Sequence, residues 1–209
     1  MRKLALLLAV AMLAGCSSEP KKAEEGGKPA PQAKQPAAPE LQTGRTAFYE
    51  MYRVARTWAP DVKPFRLQSS PTKDAPGTEG KAEVWHAWFA SPSRHGVKPY
   101  TWSGGTGENL PEKGVSFGPE DTYNPNNTST QVFDPNFLKS DSDQAYKVAQ
   151  EKGGAAVLKK SPETPILYTL DWDGKHNELI WHVTYGDLHE YRLKIAVNAS
   201  TGGYLKKEK

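Results

Sequence analysis

Val84-Trp85-His86-Ala87-Trp88-Phe89 and Ile180-Trp181-His182-Val183-Thr184-Tyr185 stand 96 residues apart and share a Trp-His pair at the same place. In the second stretch Leu179, Trp181, Val183 and Tyr185 alternate with Ile180, His182 and Thr184, the two-residue period of a strand with two unlike faces. Upstream, Tyr52-Arg53-Val54-Ala55 and Tyr146-Lys147-Val148-Ala149 form another matched pair, 94 residues apart. The step from Tyr to Trp is 33 residues in one copy and 35 in the other. Matching order at nearly matching spacing predicts an internal duplication.

Each copy reads as one helix followed by an antiparallel meander. Thr43-Gly44-Arg45-Thr46 offers capping residues, and Ala47, Phe48, Met51, Val54, Ala55 and Trp58 recur at helical spacing before Pro60 stops the run. The second helix is expected to start in Ser140-Asp141-Ser142-Asp143, pass through Ala145, Val148 and Ala149, and stop at Gly153-Gly154. A strand over Thr164 to Trp172 follows, with a turn at Asp173-Gly174. After the Trp-His strand come a turn at Gly186-Asp187, a strand over Tyr191 to Val197, and another turn at Ser200-Thr201-Gly202-Gly203. The expected fold class is α+β: two tandem helix-plus-antiparallel-sheet repeats, residues 43–103 and 140–209, packed as one unit. One sheet face should lie under the helices and the other be partly wet. Residues 104–139 read as a connecting loop rich in Gly, Pro and Asn, anchored by Val115, Phe117, Val132, Phe133 and Phe137.

Val197-Asn198-Ala199-Ser200-Thr201-Gly202 closes the second copy. With the Ala-containing helix ending in Gly and the strands after it, this resembles a PepSY-type domain, whose terminal phrase has the form Val-Asp-Ala-x-Thr-Gly. The resemblance covers residues 140–207, with Asn198 in place of the Asp. The first copy has Thr101-Trp102-Ser103-Gly104-Gly105 there instead, so its membership rests on the repeat. The resemblance implies a cell-envelope or secreted binding module, found in some relatives within peptidase propeptides and suspected of restraining peptidases. It implies no catalytic centre.

Met1-Arg2-Lys3 followed by the apolar run Leu4 to Leu13 has the charged-then-apolar form of an export signal, and is too short to span a bilayer. Leu13-Ala14-Gly15-Cys16 resembles the lipobox of bacterial lipoproteins. That resemblance implies removal of residues 1–15, acylation of Cys16 and, with Ser17 next, sorting to the outer membrane, facing the periplasm, in a two-membrane bacterium. Residues 17–40 hold five Pro, five Ala, four Lys and four Glu, with no aromatic, β-branched or long aliphatic side chain to offset the entropy of ordering. Residues 16–42 therefore read as a lipidated tether, the 24 residues after Cys16 spanning roughly 25–30 Å as a coil and about 75 Å when stretched.

The 209 residues are 37% hydrophobic and 24% charged, with one Cys and a formal net charge of +3. One Cys excludes an internal disulfide and a multi-cysteine metal site. Loss of residues 1–15 removes Arg2 and Lys3 and leaves +1, so the basic balance gives no support to a nucleic-acid partner.

Candidate chemistry is sparse. His86 and His182 occupy equivalent places, but neither has an acidic or thiol neighbour at ligand spacing, and each reads as a strand histidine beside a core Trp. Asp171-Trp172-Asp173-Gly174 fails the calcium-loop pattern, which would need its glycine and glutamate where His176 and His182 stand. There is no Gly-x-Ser-x-Gly, and Gly104-Gly105-Thr106-Gly107 lacks the Lys of a phosphate loop. No cofactor or metal is expected, and no enzyme activity. Trp85 and Trp181 read as core. Val84 and Trp88 point to the opposite face, with Trp102 expected nearby. That face either packs on the other repeat or the long loop, or lines a partner surface built from Trp88, Trp102 and His86. The expected function is binding of an envelope protein or peptide by a membrane-anchored lipoprotein. The alternative is a structural or assembly role in the envelope.

Overall fold

The computed structural model describes residues 38–107 and 109–208; residues 1–37, and with them Cys16 and the stretch read as an export signal, lie outside the described residues. A short strand β1 (Gln42–Thr43) leads into helix α1 (Gly44–Trp58). Strands β2 (Lys63–Ser70), β3 (Lys81–Ala82), β4 (Val84–Ser91), β5 (Gly96–Ser103), β6 (Gly114–Phe117) and β7 (Asp121–Thr122) follow. Then come α2 (Ser142–Ala149), α3 (Ala155–Lys160), and strands β8 (Ile166–Asp173), β9 (Glu178–Gly186), β10 (Tyr191–Asn198) and β11 (Tyr204–Glu208).

The architecture is α+β with one large antiparallel sheet, in the order β11-β10-β9-β8-β2-β4-β5-β6, with β7 also on β5 and β1 paired separately with β3. Each half of the chain thus supplies helix first and strands of the sheet after it, four from the second half and five from the first, counting β7. The halves join at the middle through β2 and β8, where Gln68 stands opposite Thr169. A single cross-strand row runs outward from that pair: through His86, Thr101 and Ser116 on one side, and His182, Ala196 and Lys206 on the other.

Helices α1 and α2 pack on the face that carries Leu67, Trp85, Ala87, Phe89, Tyr100, Leu170, Trp181, Val183, Ile195 and Val197, all of them buried. The two Trp rings meet edge to face at 6.3 Å over the seam. Each indole donates its N–H to a backbone carbonyl two residues before a helix: Trp85 to Gln42 O and Trp181 to Ser140 O, both at 3.0 Å. Burial of so large a ring stabilises only when its N–H finds a partner, and here the partner is the helix entrance itself. Gly44 belongs to the same junction. A Cβ there would press within 2.6 Å of the Trp181 ring and 2.9 Å of Trp85, so the first turn of α1 fits only without a side chain.

Four expectations change. Thr43 makes no side-chain cap; instead Asp141 Oδ1 and Ser142 Oγ of the other half accept the Arg45 and Gly44 N–H groups at 2.8 and 2.7 Å. Asp141 also caps its own helix at Ser142 N, so one carboxylate holds two helix starts. The second helix breaks at Gly153-Gly154 as expected, but a further helix rather than a strand follows. Lys152 and Gly153 leave the helical region, Gly153 at φ 125°, and α3 begins just beyond. Gly154 is required because a Cβ would collide with the Tyr185 hydroxyl, which accepts from Gln150 Nε2 at 2.7 Å. The tether as expected ran to residue 42, yet Glu40 N already donates to Gly104 O and Gln42 is in β1. Finally, residues 104–139 are more than a loop: β6 completes the first half's strand set, and Phe133 and Leu138 enter the main core.

Candidate functional site

The second sheet face is the one no helix covers. On it lie His86, Trp88, Gln68, Arg66, Thr169, Asp171, His182 and Lys194, alternating with the core side chains because successive strand residues point to opposite faces. At one corner a small cluster of Phe65, Ala90 and Tyr123, flanked by Trp88, Val97 and Val132, tucks the connecting segment against this face. A register slip between Pro64 and Arg66 turns Phe65 to that side.

The three residues expected to line one surface are not together. Trp102 stands opposite Trp85 in the β4–β5 register, so it faces the helices and is buried at 3% exposure. The expectation that it lies beside Trp88 is overturned by pairing: an odd register offset sends the two rings to opposite faces. Trp88 and His86 do share the free face, half-buried, with their rings 6.1 Å apart.

His86 Nδ1 meets Thr101 Oγ1 at 2.9 Å and Nε2 meets Ser70 Oγ at 3.1 Å. Burial with only hydroxyl partners pulls its pKa below the usual histidine value. Beside Ser70 opens a cleft of about 420 Å³ that spans the middle of the sheet. Apolar Pro71, Pro165, Leu167 and Leu188 line it together with Gln68, Ser70, Asp187 and His189. Its walls come from both halves, β2 on one side and β8 with the β9–β10 turn on the other. Sequence reading missed it because β2 and β8 are about a hundred residues apart, and no local pattern announces their pairing.

His182 occupies the matching place in the second half but has acquired carboxylates. Nδ1 lies 2.7 Å from Glu208 Oε2 and Nε2 3.2 Å from Asp171 Oδ1, while Lys194 Nζ is 3.0 Å from the same Glu208 oxygen. Burial pulls the imidazole pKa down, yet the hydrogen bonds and charges of Asp171 and Glu208 outweigh it and hold the value near 9. Burial would raise Glu208, and His182 with Lys194 more than offset that, bringing it to about 2. His182 is thus a fixed cation at neutral pH, locked in an ion-paired network. Among the described residues no cluster of His, Cys, Asp and Glu is arranged to hold a metal ion.

No family model matches the chain, and no curated protein matches it either. One solved structure shares the fold: that of a "putative lipoprotein" from Clostridium difficile 630, with a TM-score of 0.51, 13% sequence identity, and coverage of 80% of this chain and 95% of that one. At that identity the likeness defines a fold class, the extended antiparallel sheet with helices on one face. No described helix is long and apolar enough to cross a membrane.

Proposed function

We propose that the chain is a non-catalytic envelope lipoprotein, acylated at Cys16, whose folded unit binds a protein or peptide partner on the helix-free face of its sheet. The observation that carries the binding reading is the cleft between the halves. It combines an apolar lining with hydrogen-bonding groups at its rim, the composition that takes a side chain and orients the backbone beside it. His86 and Trp88 extend the surface along β4.

The anchor reading is supported by the lipobox-like Leu13-Ala14-Gly15-Cys16 and by a neighbour of the same fold that is itself described as a "putative lipoprotein". The parallel order of elements in the two halves, each with its Trp-to-carbonyl bond at a helix entrance, supports a duplicated PepSY-like unit. That resemblance makes an envelope peptidase the first partner to test, with the outer membrane as the site.

Two measurements separate the parts of this reading. Metabolic labelling with palmitate should mark the wild-type chain and not Cys16→Ala; an unlabelled wild type removes the anchor. Purified residues 37–209, which hold the whole compact unit, should inhibit or retain an envelope peptidase, and Leu167→Arg should abolish this. Equal retention by both forms would displace the site from the cleft. If Cys16→Ala destroys function in cells while Leu167→Arg leaves it whole, the envelope-assembly role replaces partner binding.

A further inference from the structure

We propose that the outward face of α1 rests on anionic lipid headgroups of the membrane that carries the anchor. The inference rests on the lipoprotein reading for its location, though not for its chemistry.

Thr46, Tyr49, Arg53 and Arg56 follow one another at steps of three and four along α1, all exposed and opposite the buried Phe48, Met51 and Ala55. Among the described residues neither Arg53 nor Arg56 has an ion-pair partner, whereas Arg45, Arg66 and Arg94 each do. Unpaired guanidinium groups flank tyrosines here, and with Tyr52 they enclose a shallow groove of about 400 Å³. Arginine forks match phosphate oxygens in pairs, and tyrosine favours the level of lipid headgroups, with its ring apolar and its hydroxyl wet.

The charge distribution points the same way. Residues 44–58 and 142–160, which form the helix layer, hold seven basic residues against three acidic. The remainder of residues 43–209 holds 14 basic against 17 acidic. A unit that is nearly neutral as a whole therefore presents a positive helix side and a negative remainder. At the far end of α1, Lys98 lies 4.0 Å from the centre of the Phe117 ring, itself 59% exposed, which adds a cationic and apolar contact on the same side of the sheet.

Anchoring changes how strong such a patch must be. A chain leashed by the residues before Glu40 meets the surface at an effective concentration of order millimolar, so weak adhesion suffices to orient it. With α1 on the lipid, the cleft on the opposite sheet face would point away from the membrane, toward a partner.

The test uses residues 37–209, without Cys16, and sedimentation with vesicles of phosphatidylcholine alone or with phosphatidylglycerol added. The expected result is binding only to the anionic vesicles, lost at high salt. At about fivefold per arginine, Arg53→Glu with Arg56→Glu should weaken partitioning by roughly 25-fold or more. The thermal melt should not move, because both side chains are exposed. Absence of phosphatidylglycerol-dependent binding overturns the proposal, as does equal binding by the double variant. Wild type that ignores vesicles but loses an acidic envelope protein on double substitution assigns the face to a protein and also overturns it. Because the probe lacks Cys16, failed palmitate labelling with intact vesicle binding would sink the anchor and spare this inference, and the reverse pattern the opposite.

Discussion

His86 and His182 are the same residue in the same place in two halves of one sheet, with opposite electrostatics. Each stands two strands from an outer edge, next to a buried Trp, with both ring nitrogens engaged. The residue that meets Nε2 is Ser70 in the first half and Asp171 in the second, and these occupy matching register positions opposite Val84 and Ile180. On the other side Thr101 supplies a hydroxyl to His86. The corresponding Ala196 is too small to reach His182, and Glu208 comes across it from β11. Asp171 where the first half has Ser70, Ala196 where it has Thr101, and Glu208 reaching over from β11 make His182 a cation that ties the last strand to the sheet, whereas hydroxyls surround His86. The difference teaches that two like positions in one sheet can leave charge and stability to the side chains around them.

The strongest blow to the likeness between the halves is at the seam. Trp85→Ala and Trp181→Ala should each cost about 3–5 kcal/mol in chemical denaturation, and by similar amounts, since both rings are fully buried and anchor a helix entrance. A gap of several kcal/mol between them would show that only one helix entrance depends on its Trp. Trp102→Ala should fall in the same range, whereas Trp88→Ala, half-buried on the free face, should cost about 1 kcal/mol and weaken partner retention instead.

Asp141→Ala comes next. It releases caps on both α1 and α2, and should cost about 2 kcal/mol, while Thr43→Ala, whose hydroxyl meets only the exposed Thr46 hydroxyl and caps no helix N–H, should change the midpoint little. A large Thr43 effect would contradict the shared cap.

The two histidines then give opposite pH slopes. His182 has a folded pKa raised above 6.5, so its stabilisation is complete below 6.5 and lost as pH rises through about 9; on the order of 3 kcal/mol should disappear across that window. Glu208 is lowered, so its contribution holds above 4.5 and fades as pH falls through about 2. His86 is lowered by burial, so folding resists its protonation and stability declines as pH drops below 6.5. Melting curves of His182→Gln should lose the alkaline slope, and those of His86→Gln the mildly acid one. Identical pH profiles for the two variants would mean that the networks do not differ in solution.

Much of the architecture was legible because it is written in short periods. The alternation in Leu179 to Tyr185, the 3.6-residue spacing from Ala47 to Trp58, and the turn signals at Asp173-Gly174 and Gly186-Asp187 are local, and the structure carries a strand, a helix and two turns there. The errors fall where a distant segment decides. Gly153-Gly154 marks a helix end, but not the helix that follows it or the room that Gly154 must leave for the Tyr185 hydroxyl. Thr43 looks like a cap until Asp141 arrives from 98 residues away. Trp102 looks like a neighbour of Trp88 until the hairpin register places it opposite Trp85.

The amino-acid sequence on its own determined the kind of elements, their order in the two halves, and the burial of Trp85 and Trp181, because periodicity and turn chemistry act within a few residues. Only the tertiary structure decided the β2–β8 seam with its cleft, the carboxylates around His182, and the removal of Trp102 from the free face. Those depend on strand pairing and register across about a hundred residues, where a shift of one position exchanges the two faces of the sheet.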